Sequence, residues 1–171
     1  MRTKKQEELI NSYLATLDEG DRVVYAELIG CLSELGYNPQ KQRSSIVFKH
    51  DSHNKQIAKI GSRKGTPFFQ LRFSACRGYS KRFDDVVRDA IARTSVGGGE
   101  TGCLKGECSW CAGEPMTHVY IHNAPNGETK YHCGAALLGI PNIGAEDIEE
   151  TERLIREEHA YLMKHQAGIT V

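Results

Sequence analysis

The chain predicts an α+β fold, with N-terminal helices, a small antiparallel sheet and a further helix, then a cysteine-bearing hairpin and a C-terminal helix. Three observations carry this. Apolar residues recur at helical spacing near both ends of the chain, they alternate with polar ones in the middle, and Gly97-Gly-Gly99 interrupts the pattern between two differently composed parts. The expected division is an α+β domain over 1–96 and a smaller module with its closing helix over 97–171. A length of 171 residues suits one domain with an appendage, and a 39% hydrophobic fraction supplies a core.

From Lys4 to Leu17, the residues Leu9, Ile10, Tyr13, Leu14 and Leu17 fall on one helical face. A second helix is expected from an Asp21 N-cap to about Leu35, with Val24, Leu28, Cys31 and Leu35 as its stripe and Gly36 as its stop. Asn38-Pro39 then keeps the chain extended. Strands are expected at Ser45–Lys49, Lys55–Ile60 and Phe68–Phe73, the last alternating Phe69, Leu71 and Phe73 against Gln70 and Arg72. The turn His50-Asp-Ser-His-Asn54 joins the first two, and its histidines read as exposed. Phe83, Val86, Val87, Ala90 and Ile91 restore the helical period. Asn126-Gly127 marks a tight turn between His118–His122 and Glu128–Cys133. A last helix is expected over Ala145–His165, with acids in its first turn.

The sequence Cys103-Leu-Lys-Gly-Glu-Cys108-Ser-Trp-Cys111, with Cys133 beyond the hairpin turn, offers four thiolates at a metal-binding spacing. Zinc takes four such sulfurs at about 2.3 Å in a closed tetrahedron when its role is structural. The tight Cys108–Cys111 pair supplies two ligands from one turn. Cys103 and Cys133 complete the set, and His132 is an alternative to one sulfur. This is the layout of a zinc-ribbon-like module, whose small core makes metal binding a large part of its folding energy. The same spacing serves [2Fe–2S] clusters, and the run from Cys103 through Gly113 resembles the cluster loop of plant-type ferredoxins. That resemblance implies Cys103, Cys108, Cys111 and Cys133 as iron ligands, but the hairpin that follows departs from the ferredoxin layout.

A net charge of zero conceals a marked asymmetry. Between Lys41 and Arg82 there are eleven Lys or Arg and a single acid, Asp51, while the flanking parts of the chain are acidic. An anionic ligand, protein or nucleic acid is therefore a candidate partner for residues 41–82, through Lys49, Lys59, Arg63, Lys64, Arg72, Arg77, Lys81 and Arg82. Aromatic residues interleave with these cations, as in surfaces that hold single-stranded nucleic acid. The same charge also suits neutralisation of the acidic C-terminal helix. Of the remaining cysteines, Cys31 lies on an apolar stripe and Cys76 beside Arg72 and Arg77, a setting that lowers a thiol pKa if the thiol is accessible. No catalytic residue is identified.

Gly36-Tyr-Asn-Pro39, Ile46-Val-Phe-Lys49, Ile57-Ala-Lys-Ile60 and Phe68-Phe-Gln-Leu-Arg-Phe-Ser74 resemble segments of the small α+β domains of the bacterial YdhG-like and MmcQ/YjbR-like families. The resemblance spans roughly residues 37–94 and implies the fold rather than an activity. Neither a secretory signal nor a membrane-spanning apolar run is evident, and mean hydropathy is −0.48. The expectation is a cytoplasmic, zinc-binding, non-enzymatic adaptor or sensor with a basic strand face. An electron-transfer protein and a nucleic-acid-binding protein are the alternatives.

Overall fold

The computed structural model describes residues 2–94 and 115–166. Among the described residues there are four α-helices, a five-stranded antiparallel sheet and a separate two-stranded hairpin that packs against the third helix. Helix α1 (Lys4–Leu14) opens with a reciprocal cap: Gln6 N–H donates to Thr3 Oγ1 and Thr3 N–H donates to Gln6 Oε1. It stops one turn earlier than expected, although Leu17 beyond it is still buried. Helix α2 (Glu19–Glu34) is capped by Asp18 rather than Asp21, and the Asp18 carboxylate accepts the Asp21 N–H at 2.8 Å. Asp21 thus sits one turn inside the helix, where the capped amides need it as a donor.

Strands β1 (Tyr37–Gln42), β2 (Ser45–His50), β3 (Gln56–Arg63) and β4 (Thr66–Leu71) follow as successive antiparallel neighbours. The first of these was expected only as extended chain; it forms the sheet edge, where Pro39 removes no ladder bond from a central strand. Helix α3 (Lys81–Thr94) precedes the hairpin of β5 (Tyr120–Asn123) and β6 (Thr129–His132). Strand β7 (Leu138–Ile140) then pairs with β4, and a 3₁₀ turn at Ala145–Asp147 leads into α4 (Ile148–Gln166). β7 and α4, both from the 97–171 part of the chain, are therefore built into the same core as β1–β4.

Strand alternation sorts the sheet into two faces. Ile46, Phe48, Ala58, Ile60, Phe69, Leu71, Leu138 and Ile140 share one face and are all buried. Tyr25 of α2 meets Phe69 edge-on there, with ring centroids 6.2 Å apart. Beyond β4, the Phe73 ring is held edge-on by Tyr79, Phe83 and Tyr120. The Tyr120 hydroxyl accepts the Phe73 N–H and donates to the Ala136 carbonyl. This single phenol joins the end of the sheet to the hairpin.

Arg72 departs from the sequence expectation. Period two sends it outward from β4, yet it is 3% exposed and its Nε lies 2.7 Å from Glu158 Oε1. β4 ends at Leu71, and α4 covers the next residues. The second Glu158 oxygen accepts the Ala75 N–H at 2.8 Å. Burial pushes the Glu158 carboxyl up, and Arg72, the Ala75 amide and the Ser74 hydroxyl oppose that rise. Breaking one side of such a pair leaves an uncompensated buried charge at a cost of about 3–5 kcal/mol. Glu158→Ala is expected to lose about that much in urea-unfolding stability. An Arg72→Met, Glu158→Leu double variant should recover most of it, because both charges are then gone.

Candidate functional site

Of the four cysteines expected to bind metal, Cys103, Cys108 and Cys111 lie outside the described residues. Cys133 follows β6 directly and is a free, exposed thiol. Its position is fixed by its neighbour. A Cβ on Gly134 would lie 1.4 Å from the His118 carbonyl oxygen, so only glycine lets these two backbones meet. Ser74 Oγ also donates to the Gly134 carbonyl at 2.8 Å. His132 pairs with Tyr120 across the hairpin and is half-buried, and burial lowers its pKa. Among the described residues, no group of three His, Cys, Asp or Glu side chains is placed to hold a metal. A centre built on Cys133 thus needs ligands from residues 95–114.

The other thiols are packing residues. Cys31 is 3% exposed, and burial pushes its pKa up to about 11. Cys76 is 1% exposed and its Sγ donates to the Leu154 carbonyl at 3.3 Å. Burial raises its pKa, and the nearby Glu158 and Glu157 raise it further, opposite to the lowering that its basic neighbours suggested. Arg77 does not activate the thiol, because its guanidinium is engaged by the carbonyls of Ser74, Cys76, Met116 and Val119.

The eight candidate basic residues divide into two groups. Arg72, Arg77, Lys81 and Arg82 are used within the fold. Arg72 pairs with Glu158, Arg77 caps carbonyls, Lys81 pairs with Asp85, and Arg82 reaches Asp147 and the Pro141 carbonyl. Lys49, Lys59, Arg63 and Lys64 form no side-chain hydrogen bond or ion pair among the described residues. Lys49, Lys59 and Arg63 alternate in step with Gln40, Gln70 and Gly139 on the sheet face opposite the core. Gln40, Lys59, Phe68, Gln70 and Gly139 on that face are exposed or half-buried, while Ser45, Val47 and Gly61 between them are buried. The edge of the Phe68 ring lies over Gly61, where a Cβ would come within 2.8 Å of it. No acid occurs in β1–β4, and Asp51 is the only one between Tyr37 and Leu71. Of the aromatic residues expected beside the cations, Phe68, Phe69, Phe73 and Tyr79, the second and third belong to the core and Tyr79 packs against it, which leaves Phe68 on the open face.

A second cluster escaped the sequence reading. His50 and His53, expected to be exposed, stack 4.5 Å apart at 13°, and His53 is only 8% exposed. Tyr37 of β1 places its hydroxyl 3.3 Å from His53 Nε2 and 3.3 Å from His159 Nδ1 of α4. The Lys55 N–H donates to His53 Nδ1 and the Ser52 N–H to His50 Nδ1, both at 3.1 Å. Each ring must then carry its proton on Nε2 when neutral. His53 Nε2–H accordingly donates to the Tyr37 oxygen, and the Tyr37 O–H is available for His159 Nδ1. Burial, then His50, His159, Arg72 and Lys55, hold the His53 pKa down at about 4. Burial, then His50, lowers that of His159. Only tertiary folding brings positions 37, 50, 53 and 159 together, so no local motif announces the group.

The remaining histidines are partnered individually. His118 is buried against the Tyr161 hydroxyl, and His122 lies 3.3 Å from Asp84. No described helix is long and apolar enough to cross a membrane. Comparisons of the chain with protein-family models, curated proteins and solved structures find no match. The burial pattern gives a direct expectation for thiol chemistry. After metal chelation, a thiol reagent should label Cys133 in the folded chain, while Cys31 and Cys76 should react only on unfolding. Mass spectrometry of the labelled peptides checks it.

Proposed function

We propose that this chain is a zinc-stabilised, non-enzymatic binding protein that recognises an anionic partner through the open face of its sheet. The observation that carries this reading is the division of basic charge. Lys49, Lys59, Arg63 and Lys64 remain without partners among the described residues while Arg72, Arg77, Lys81 and Arg82 are used internally. Cations left unpaired on strands that carry no acid attract anions by summed Coulomb attraction and release counterions on contact. Phe68 beside Lys59 and Arg63 favours single-stranded nucleic acid as the specific form of that partner, since an aromatic ring between cations can stack a base.

Zinc held by Cys103, Cys108, Cys111 and Cys133 has a structural role in this reading. The described chain resumes at Pro115, and Gly134 packs on the His118 carbonyl, so Cys133 stands near the chain emerging from 95–114. Cys111 and His118 are seven positions apart, a reach of up to about 25 Å for extended chain. Four thiolates fit zinc's preference for a closed sulfur cage, and His132 is the alternative nitrogen donor. When bound, the metal supplies cross-linking between the hairpin and the preceding segment.

Purified protein should be colourless with about one zinc per chain, and Cys108→Ala should reduce both metal content and melting temperature. A brown protein with visible absorption and bound iron overturns zinc in favour of a cluster. Binding to a labelled single-stranded oligonucleotide should weaken steeply with salt, with a logarithmic slope of about −3 if four phosphates are contacted. Replacing Lys49, Lys59, Arg63 and Lys64 by Ala should remove that binding, whereas Lys81→Ala should leave it. Polyglutamate is the protein-like comparison. Absence of salt-sensitive association with either polyanion rejects the binding face.

A further inference from the structure

We propose that Tyr37, His50, His53 and His159 form a proton-sensitive latch that fastens the C-terminal half of α4 to the β1–β2 end of the sheet and opens on acidification. Its parts come from three places in the fold: β1 supplies Tyr37, the end of β2 and the following turn supply His50 and His53, and α4 supplies His159. The ring centroids of His50 and His159 are 5.5 Å apart and those of His53 and His159 6.5 Å apart, so the three imidazoles share one small volume.

Hydrogen-bond direction makes this arrangement acid-labile. A histidinium is a donor at both nitrogens. Protonation of His53 would place Nδ1–H against the Lys55 N–H, and protonation of His50 would place Nδ1–H against the Ser52 N–H. Each event replaces an attraction by a repulsion inside the same turn. The charged groups nearby reinforce the effect. Lys55 from the turn and Arg72 from the end of β4 both disfavour a positive His53, as do His50 and His159 when charged, and a charged His50 disfavours a positive His159. Glu158 of α4 acts on Tyr37, but its carboxylate is occupied by Arg72, Ser74 and the Ala75 amide. Asp51, the acid in this turn, is held by Asn38 Nδ2 at 2.8 Å.

The sign follows from proton linkage. An opened latch exposes histidines of ordinary pKa, about 6.5, whereas the closed one keeps His53 neutral to much lower pH. The open form therefore binds more protons below about pH 6.5, and the latch is fully closed above that value. Its opening constant should rise by up to about tenfold per pH unit for each histidine involved, down to the closed-state value near 4 for His53. Glu158, with its pKa raised by burial, has the opposite dependence, and it is common to all histidine variants.

Hydrogen exchange of the full chain, followed by NMR and corrected for intrinsic exchange rates, tests the latch. Between pH 7.5 and 5, the Ser52 and Lys55 amides and those after His159 should lose protection together. In His53→Gln the slope should fall by about one proton, and Tyr37→Phe should weaken protection in α4 already at pH 7.5. Ring ¹⁵N shifts of the wild type supply a reading that needs no variant: His50 and His53 should show Nε2–H tautomers at neutral pH. Protection independent of pH, an unchanged slope in His53→Gln, or Nδ1–H tautomers for these rings each overturn the proposal.

Discussion

Arg72 and Glu158 meet where water cannot reach either of them, and the surrounding elements are arranged so that both charges are satisfied. One Glu158 oxygen takes the Arg72 guanidinium and the other takes the Ala75 amide, while the neighbouring Ser74 hydroxyl holds the Gly134 carbonyl. The residues just beyond β4, the segment after β6 and the middle of α4 therefore have to arrive together. An ion pair in such surroundings gives little net stability compared with an apolar pair of equal volume, but it tolerates few alternative arrangements. It sets the position of α4 along the sheet, which in turn brings Leu154 over Cys76 and His159 to Tyr37.

That constraint also determines which positive charges face outward. A basic middle segment has to neutralise acids within the fold before any surplus can serve recognition. Arg72 is drawn inward by Glu158 and Arg82 by Asp147, while Lys81 answers Asp85 one helical turn away. The β2–β3–β4 region has no acids in its strands to absorb Lys49, Lys59 and Arg63. Surplus charge thus collects on the face that also carries Gln40, Gln70, Gly139 and the half-buried Phe68 around the buried Val47 and Ser45. Exposed single ion pairs contribute little to stability, so the helical pairs do not compete energetically with this surplus.

The helices, the central strands and the Asn126-Gly127 hairpin were legible because each repeats its periodic pattern or carries specific turn chemistry. β7 was not, since Leu138-Gly-Ile140 is too short to show a period and takes its identity from β4. β1 was hidden by Pro39 and a polar run, both acceptable on an edge strand. Alternation correctly turned Lys59 outward and failed at Arg72, where a helix 86 positions away in sequence covers the strand end. The histidine cluster was illegible for the same reason: its members are separated along the chain, and a turn histidine is exposed unless something distant lies over it.

Strand β7 has a consequence for how the chain is assembled. Phe69 pairs with Ile140 and Leu71 with Leu138, so one margin of the sheet is supplied by a segment synthesised long after β4. Until it emerges from the ribosome, β4 presents unpaired amides and carbonyls beside apolar residues, a template for pairing with other chains. The nascent protein must keep this margin from wrong partners while the intervening residues are made. Its sheet is completed late, by a strand of only three residues, and the interval before that leaves the β4 margin open to misassembly.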